Sequence, residues 1–235
     1  MYALIDECIY ATHPQLPRSV LDHYTAAKKD ARIIKGEDMG KDQVTKVSIG
    51  EYARNAAIMD SQARLLHRLV NYLKPMEILE LGTNLGKSLA CMALGAPQAQ
   101  CTGVEGNGEL AGYAEHTLKA LGIENATVAN AAFEDFLSDD LRTYDFVFVD
   151  GDHRYGPTMK YFQTLKTKMK AEGAIVFHDI HWSTGMKQAW CEIKKDPDVT
   201  VTLDLYFLGI AWVGMPQAKE DFSVRFPSTL VGLLF

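Results

Sequence analysis

The sequence predicts an α/β fold, a doubly wound, Rossmann-like sheet of seven strands, mostly parallel and closed by a C-terminal antiparallel hairpin. Three observations point to it. From Glu77 onward, short β-rich runs alternate with amphipathic stretches, the order that wraps helices around a parallel sheet. The first run leads into a glycine turn, Gly82-Thr83-Asn84-Leu85-Gly86, which opens a helix near Lys87. The last two runs are parted only by a short Tyr206-Phe207 break, so they are expected to pair as a hairpin.

In order, the β-type runs are Glu77–Leu81, Gln100–Glu105, Ala126–Asn130, 144–150, 174–179, 199–205 and 208–214. Between them, Met159, Phe162, Leu165 and Met169 share one helical face, as do Met186, Ala189, Trp190 and Ile193. Asp196-Pro197 closes the second of these helices, because a proline disfavours helix in the residue before it. Upstream, residues 61–74 place Leu65, Leu66, Leu69, Val70 and Leu73 at helical spacing, and Pro75 follows the helix end. The charged stretch 28–46, with Gly36 and Gly40, reads as mobile or irregular. The expected organisation is an accessory or cap segment over 1–60, an α/β domain over 61–214 and a tail over 215–235.

A length of 235 residues suits one α/β domain with an accessory segment, and 47% apolar residues supply its core. No apolar run approaches the roughly 20 residues that span a bilayer. The N-terminus lacks a basic start followed by an apolar run, so no secretory signal is expected. Cys8, Cys91, Cys101 and Cys191 are scattered without metal spacing and read as reduced, largely buried thiols of a cytoplasmic protein. A net charge of −6 argues against a nucleic-acid partner. The apolar end, 230–235, would otherwise expose apolar surface, which suggests a homodimer.

The chemistry begins at the glycine turn. In a doubly wound sheet this first turn lies at the carboxyl edge, where ligands bind. The next strand ends at Glu105, about twenty residues on, where an acid can accept both hydroxyls of a ribose. Asn84 stands where a dinucleotide fingerprint needs its second glycine, and Lys87-Ser88 follows too short a spacing for a phosphate loop. An adenosine cofactor without phosphates fits best.

These residues resemble a known family. Glu80-Leu81-Gly82-Thr83-Asn84-Leu85-Gly86 with Ser88 is similar to the first motif of class I S-adenosylmethionine-dependent methyltransferases, in particular the O-methyltransferase-like branch. Val104-Glu105-Gly106 resembles the second motif, and Phe146-Val147-Phe148-Val149-Asp150-Gly151-Asp152-His153 the strand-four segment. Gly173 to Trp182, through His178-Asp179, resembles the fifth strand and its ending. The resemblance implies that Glu80, Gly82, Thr83, Asn84, Gly86 and Ser88 surround S-adenosylmethionine, with Glu105 on its ribose. Relatives often carry an acid beside the adenine where this chain has Asn130, which would substitute in part. Asp150 is expected at the cofactor as well.

Asp150, Asp152, His153, His178, Asp179 and His181 all fall at or just past the ends of the fourth and fifth predicted strands. Methyl transfer to a hydroxyl needs the acceptor held in line and its proton removed. A histidine suits that task, with His153 the first choice of base, His181 the second, and Asp150 beside them. Divalent metal is the other route. Metal-dependent relatives use a strand-four Asp with an Asp-Asn pair, which Asp150 and Asp179 match in part. Ile180 stands at the Asn position and cannot coordinate, leaving His178 or His181 to supply a ligand. Trp182 and Trp190 read as packing residues, and Tyr155 as lining or capping the acceptor pocket. A small-molecule acceptor is expected, with the N-terminal segment over its site. The alternatives are a nicotinamide-dependent oxidoreductase, which the turn and the terminal hairpin disfavour, and a non-catalytic cofactor-binding protein of the same fold.

Overall fold

The computed structural model describes residues 1–11, 15–37 and 44–225. In chain order it places a short α1 (Tyr2–Leu4) running into a wider helical turn (Ile5–Ile9), then α2 (Arg18–Ala27), β1 (Ile33–Glu37), β2 (Val44–Ser48), α3 (Ile49–Asn55) and α4 (Asp60–Leu73). The alternating part follows: β3 (Glu77–Leu81), α5 (Lys87–Gly95), β4 (Gln100–Glu105), α6 (Gly108–Ala120), β5 (Ala126–Asn130), α7 (Phe133–Asp139), β6 (Tyr144–Val149) and α8 (Tyr155–Lys166). Next come β7 (Met169–His178), α9 (Thr184–Lys195), β8 (Val199–Asp204), β9 (Leu208–Val213) and β10 (Glu220–Ser223). The larger sheet has the strand order β10-β8-β9-β7-β6-β3-β4-β5, and β1 with β2 forms a separate pair. All seven expected strands are present. The eighth, β10, lies in the stretch expected as tail. No helix among the described residues is long and apolar enough to cross a membrane.

The chain packs as two compact units, Met1–Lys74 with Thr83–Ala132, and Pro75–Gly82 with Phe133–Phe235. In the first, α4 buries Leu65, Leu66, Leu69 and Val70 completely, as the spacing predicts. It ends at Lys74, which takes a left-handed conformation (φ 52°) just before Pro75. β4 pairs with β5 in parallel, from Cys101 opposite Ala126 to Glu105 opposite Asn130. Of the stretch 28–46, the described residues 33–37 and 44–46 are strand rather than irregular chain. Its described residues form an antiparallel pair, Ile33 opposite Ser48, and the Lys35 N–H donates to Glu109 on α6 (2.9 Å). Gly40 lies outside the described residues, as does the apolar end 230–235 on which the homodimer expectation rests.

In the second unit, β3 pairs with β6 and β6 with β7, all parallel, while β7–β9 and β8–β9 are antiparallel. β10 returns to pair with β8 in parallel. The central strands are apolar on both faces: Ile78, Leu79, Val147, Phe148, Ile175 and Val176 have no measurable exposure. Helices α8 and α9 bring Phe162 and Trp190 against Phe177, with ring centroids 6.2 and 6.4 Å apart. Met169, expected on the face of α8, instead begins β7 opposite Tyr144. The ladder shifts register before Phe146, and this irregularity lets the strand start early, with Glu172 left-handed (φ 65°) beside Gly173.

At the carboxyl edge of this unit β3 and β6 come very close. The Asp150 N–H donates to the Leu81 carbonyl (2.8 Å), and Gly82 follows with φ +95°. A Cβ at Gly82 would lie 2.1 Å from the Asp150 carbonyl oxygen. Only glycine meets both the conformation and the clearance. Gly82→Ala is expected to lower unfolding stability by about 2–4 kcal/mol in urea titrations; a loss below about 0.5 kcal/mol would show that the two strand ends are free to separate. The cysteines give a second check. None is bridged, Cys8, Cys91 and Cys101 are buried, and Cys191 is exposed. Burial pushes the Cys8 thiol up to about 12. Alkylation of the native protein should label Cys191 alone, and the other three only after denaturation; native labelling of Cys8 would contradict its packing.

Candidate active site

In the first unit the turn after β3 and the end of β4 meet at Glu105. One carboxylate oxygen accepts from the Asn84 N–H (2.8 Å) and the other from the Asn107 N–H (2.9 Å). Each oxygen keeps a further lone pair for a hydroxyl. Burial raises the Glu105 pKa, and hydrogen bonds from the backbone at Asn107, Asn84 and Gly106 offset this only in part. The turn holds its shape through left-handed residues at Asn84 (φ 50°) and Gly86 (φ 83°). Thr83 and Ser88 are buried beneath it. Asn107 caps α6, its side-chain oxygen accepting from the Glu109 and Leu110 N–H groups. Its amide nitrogen donates to the Lys35 carbonyl (3.0 Å), which ties the β1 strand to the same corner. Asn130 donates to the carbonyls of Glu105 (2.8 Å) and Gly106 (3.2 Å), bracing the end of β4.

Lys87 has the opposite fate to a phosphate-loop lysine. Its buried ammonium donates to the Ile58 carbonyl (2.7 Å) and to Asp60 (2.6 Å), and it stands 5.7 Å from the centre of the Tyr24 ring. The cation is therefore spent on structure, and the turn offers a ligand backbone groups and a carboxylate rather than positive charge.

In the second unit Asp150, at the end of β6, receives a hydrogen bond from His178 Nδ1 (2.8 Å), at the end of β7. His153 Nε2 lies 3.6 Å from the same Asp150 oxygen and 4.0 Å from Asp179. Asp179 also faces His178 Nδ1 at 3.8 Å. The ligand atoms of Asp150, His153 and His178 all lie within 4.8 Å of one another. Burial works against protonating His178, but the charge of Asp150, its hydrogen bond and the charge of Asp179 outweigh it, so the His178 pKa is raised. Glu80 is fully buried on β3, opposite Phe148 of β6.

The six ionisable groups expected at this edge separate into three sets. Asp150, His153, His178 and Asp179 converge. Asp152 turns away in a left-handed conformation (φ 49°) and pairs with Arg154. His181 pairs instead with Asp204 at the end of β8, its Nε2 3.0 Å from the carboxylate, and stacks on Tyr206 with centroids 5.1 Å apart. Asp204 is itself fixed by the Trp190 indole N–H (2.9 Å) and the Tyr206 N–H (2.8 Å). Sequence reasoning missed Asp204; its signal is a lone acid closing the apolar run before the terminal hairpin. Ile180 is buried, in keeping with an apolar residue that coordinates nothing. Trp190 packs as expected, whereas Trp182 is 75% exposed and packs against no core. Trp182 precedes α9 and so does not share its apolar face. Tyr155 donates its hydroxyl to Glu192 on α9 (2.7 Å).

A family model described as a methyltransferase domain matches residues 79–180. No curated protein sequence matches the chain. Among solved structures, the chain resembles the O-methyltransferase TomG from Streptomyces achromogenes in complex with SAM. That match has 20% identity, covers 67% of this chain and 82% of TomG, and has a TM-score of 0.59. An O-methyltransferase from Bacillus cereus in complex with SAH matches at 16% identity over 90% of this chain and 96% of its own, with a TM-score of 0.63. The SAH-bound methyltransferase PaMTH1 of Podospora anserina matches at 15% identity over 92% and 95%, with a TM-score of 0.68. The matched stretch runs from within β3 to just past β7, taking in the glycine turn, Glu105 and the Asp150 edge, and the solved structures that resemble the chain share its fold.

Proposed function

We propose that this protein transfers the methyl group of S-adenosylmethionine to an oxygen of a small-molecule acceptor. The observation that supports this most is the pairing of an acid-ended adenosine cradle with a histidine–carboxylate edge on one chain. Glu105, oriented by two backbone N–H groups, would hold the ribose hydroxyls, with the Gly82–Gly86 turn accommodating the rest of the cofactor and Asn130 toward its adenine. The withdrawal of Lys87 into its ion pair favours this cofactor over one with phosphates. Bound there, S-adenosylmethionine supplies a methyl group on a sulfonium, ready for in-line displacement.

The protein's own part is to hold the acceptor hydroxyl and take its proton. Of the two candidate bases, the geometry favours His181. Its imidazole is fixed by Asp204, and a carboxylate-held imidazole is oriented and stabilised when it gains a proton. His153 stands among Asp150, Asp179 and His178, where it helps to form the acceptor-binding edge. Trp182, next to His181 in the chain, and Tyr206, stacked on its ring, are 75% and 72% exposed and would give a planar acceptor something to rest against. The unbridged cysteines and the net charge of −6 fit a cytoplasmic enzyme acting on small molecules rather than nucleic acid.

Two tests follow from these roles. His181→Ala should reduce turnover about 10²–10⁴-fold with S-adenosylhomocysteine affinity retained, measured as S-adenosylhomocysteine release across a panel of phenols and alcohols. An unchanged turnover would remove His181 as the base. Cofactor affinity should also depend on pH. A protonated Glu105 cannot accept two hydroxyls, so affinity is full above its pKa and falls as pH drops through it. That fall should sit above the ordinary value of 4.5, because burial raises the group. Glu105→Gln should weaken binding about 10–100-fold and abolish this pH dependence; a wild-type pH profile in the Gln variant would refute the ribose assignment.

A further inference from the structure

We infer that Asp150, His153 and His178 form a mixed nitrogen–oxygen site for a divalent transition ion such as Zn²⁺ or Co²⁺, and that this site does not select Mg²⁺. The inference rests on the methyltransferase reading only for its purpose; the site itself is argued from its ligand atoms. Three such atoms, two imidazole nitrogens and one carboxylate oxygen, already lie within 4.8 Å of one another without any ion. A tetrahedral ion with bonds of about 2.0–2.1 Å holds its ligand atoms roughly 3.3 Å apart. The separations from the shared Asp150 oxygen, 2.8 Å to His178 and 3.6 Å to His153, lie on either side of that figure. Shifts of about half an ångström bring each imidazole to that separation from the Asp150 oxygen.

The elements hold these atoms with little freedom. Asp150 is pinned by its N–H bond to Leu81 and by the close approach of Gly82. His178 ends a buried strand, and the Asp179 N–H donates to the Phe207 carbonyl (2.7 Å), which fixes the chain just beyond it. Asp179 is the second carboxylate facing both imidazoles, at 4.0 and 3.8 Å. Two carboxylates and two imidazoles, with no Lys or Arg among the described residues in an ion pair with Asp150 or Asp179, give an edge whose negative charge a divalent ion would balance.

Donor chemistry sets the choice of ion. Imidazole nitrogens suit zinc, cobalt, iron and nickel, whereas Mg²⁺ demands oxygen ligands in near-ideal octahedral geometry. The oxygen-only arrangement of an Asp-Asp-Asn set is closed to this chain, because Ile180 is apolar and buried. Three protein ligands leave a tetrahedral ion one open position, the hallmark of a site that takes a substrate oxygen. The ligand class for that position is a single hydroxyl oxygen.

The test is calorimetry on chelator-treated protein with Zn²⁺, Co²⁺ and Mg²⁺ separately, joined to the visible absorption of bound Co²⁺. No methyl donor or acceptor is present. Wild-type protein should bind one equivalent of Zn²⁺ or Co²⁺ with micromolar affinity and show Co²⁺ bands of low coordination number, with no Mg²⁺ binding in the same range. His153→Ala and Asp150→Asn should each weaken Zn²⁺ binding more than about 100-fold, beyond the loss caused by outer partners of a metal. His116→Ala, a histidine elsewhere on the chain, should leave it unchanged. Circular dichroism separates lost ligation from lost fold, and the part-exposed His153 is the variant least coupled to packing. Absence of Zn²⁺ and Co²⁺ binding by folded wild-type protein, equal binding of Mg²⁺, or undiminished binding by folded His153→Ala would each overturn the site. S-adenosylhomocysteine binding measured on the same sample reports separately on the methyltransferase reading.

Discussion

The close approach of Gly82 to Asp150 is the constraint on which the rest of this edge depends. With 2.1 Å between a would-be Cβ and the Asp150 carbonyl, β3 and β6 end locked together. The chain must then leave β3 in a left-handed conformation, and Asn84 and Gly86 continue that pattern into α5. On the β6 side the same contact fixes the Asp150 backbone, so its carboxylate meets His178 at 2.8 Å from a defined position. One missing side chain thus shapes the turn that reaches Glu105 and orients the acid that gathers the histidines.

Charge is distributed along the same logic. The one lysine of the glycine turn is turned inward and neutralised by Asp60, leaving Glu105 as the charged group that the turn presents. At the ends of β6 and β7, two carboxylates surround two imidazoles, and their charge overcomes the effect of burial to raise the His178 pKa. His181 and Asp204 form a second, separate histidine–carboxylate pair, anchored by Trp190 and Tyr206. The first unit thus presents a carboxylate at its turn, and the second presents two histidine–carboxylate sets at its strand ends.

Much of this was legible in the sequence, for physical reasons that differ by element. The central strands announce themselves because burial on both faces demands continuous apolar runs such as 146–149. The turn is legible because its glycines are required by conformation rather than by packing alone. The β1–β2 pair was not, since charges and glycines interrupt the alternation by which strands are recognised, and its anchors, Glu109 and Asn107, lie more than seventy residues away. The His181–Asp204 pair was hidden for a related reason: its members are brought together by the hairpin topology, not by sequence spacing. The two tryptophans part company because Trp190 shares the apolar face of α9 with Met186, Ala189 and Ile193, whereas Trp182 comes before the helix begins. Spacing within an element can be read from sequence; partners supplied by another strand end cannot.

The most direct test of the whole account is calorimetric titration of the purified protein with S-adenosylmethionine, S-adenosylhomocysteine and NAD⁺. The account predicts micromolar binding of both sulfur nucleosides, one per chain, and none of NAD⁺. Binding of NAD⁺, or failure of folded protein to bind either sulfur nucleoside, would contradict it.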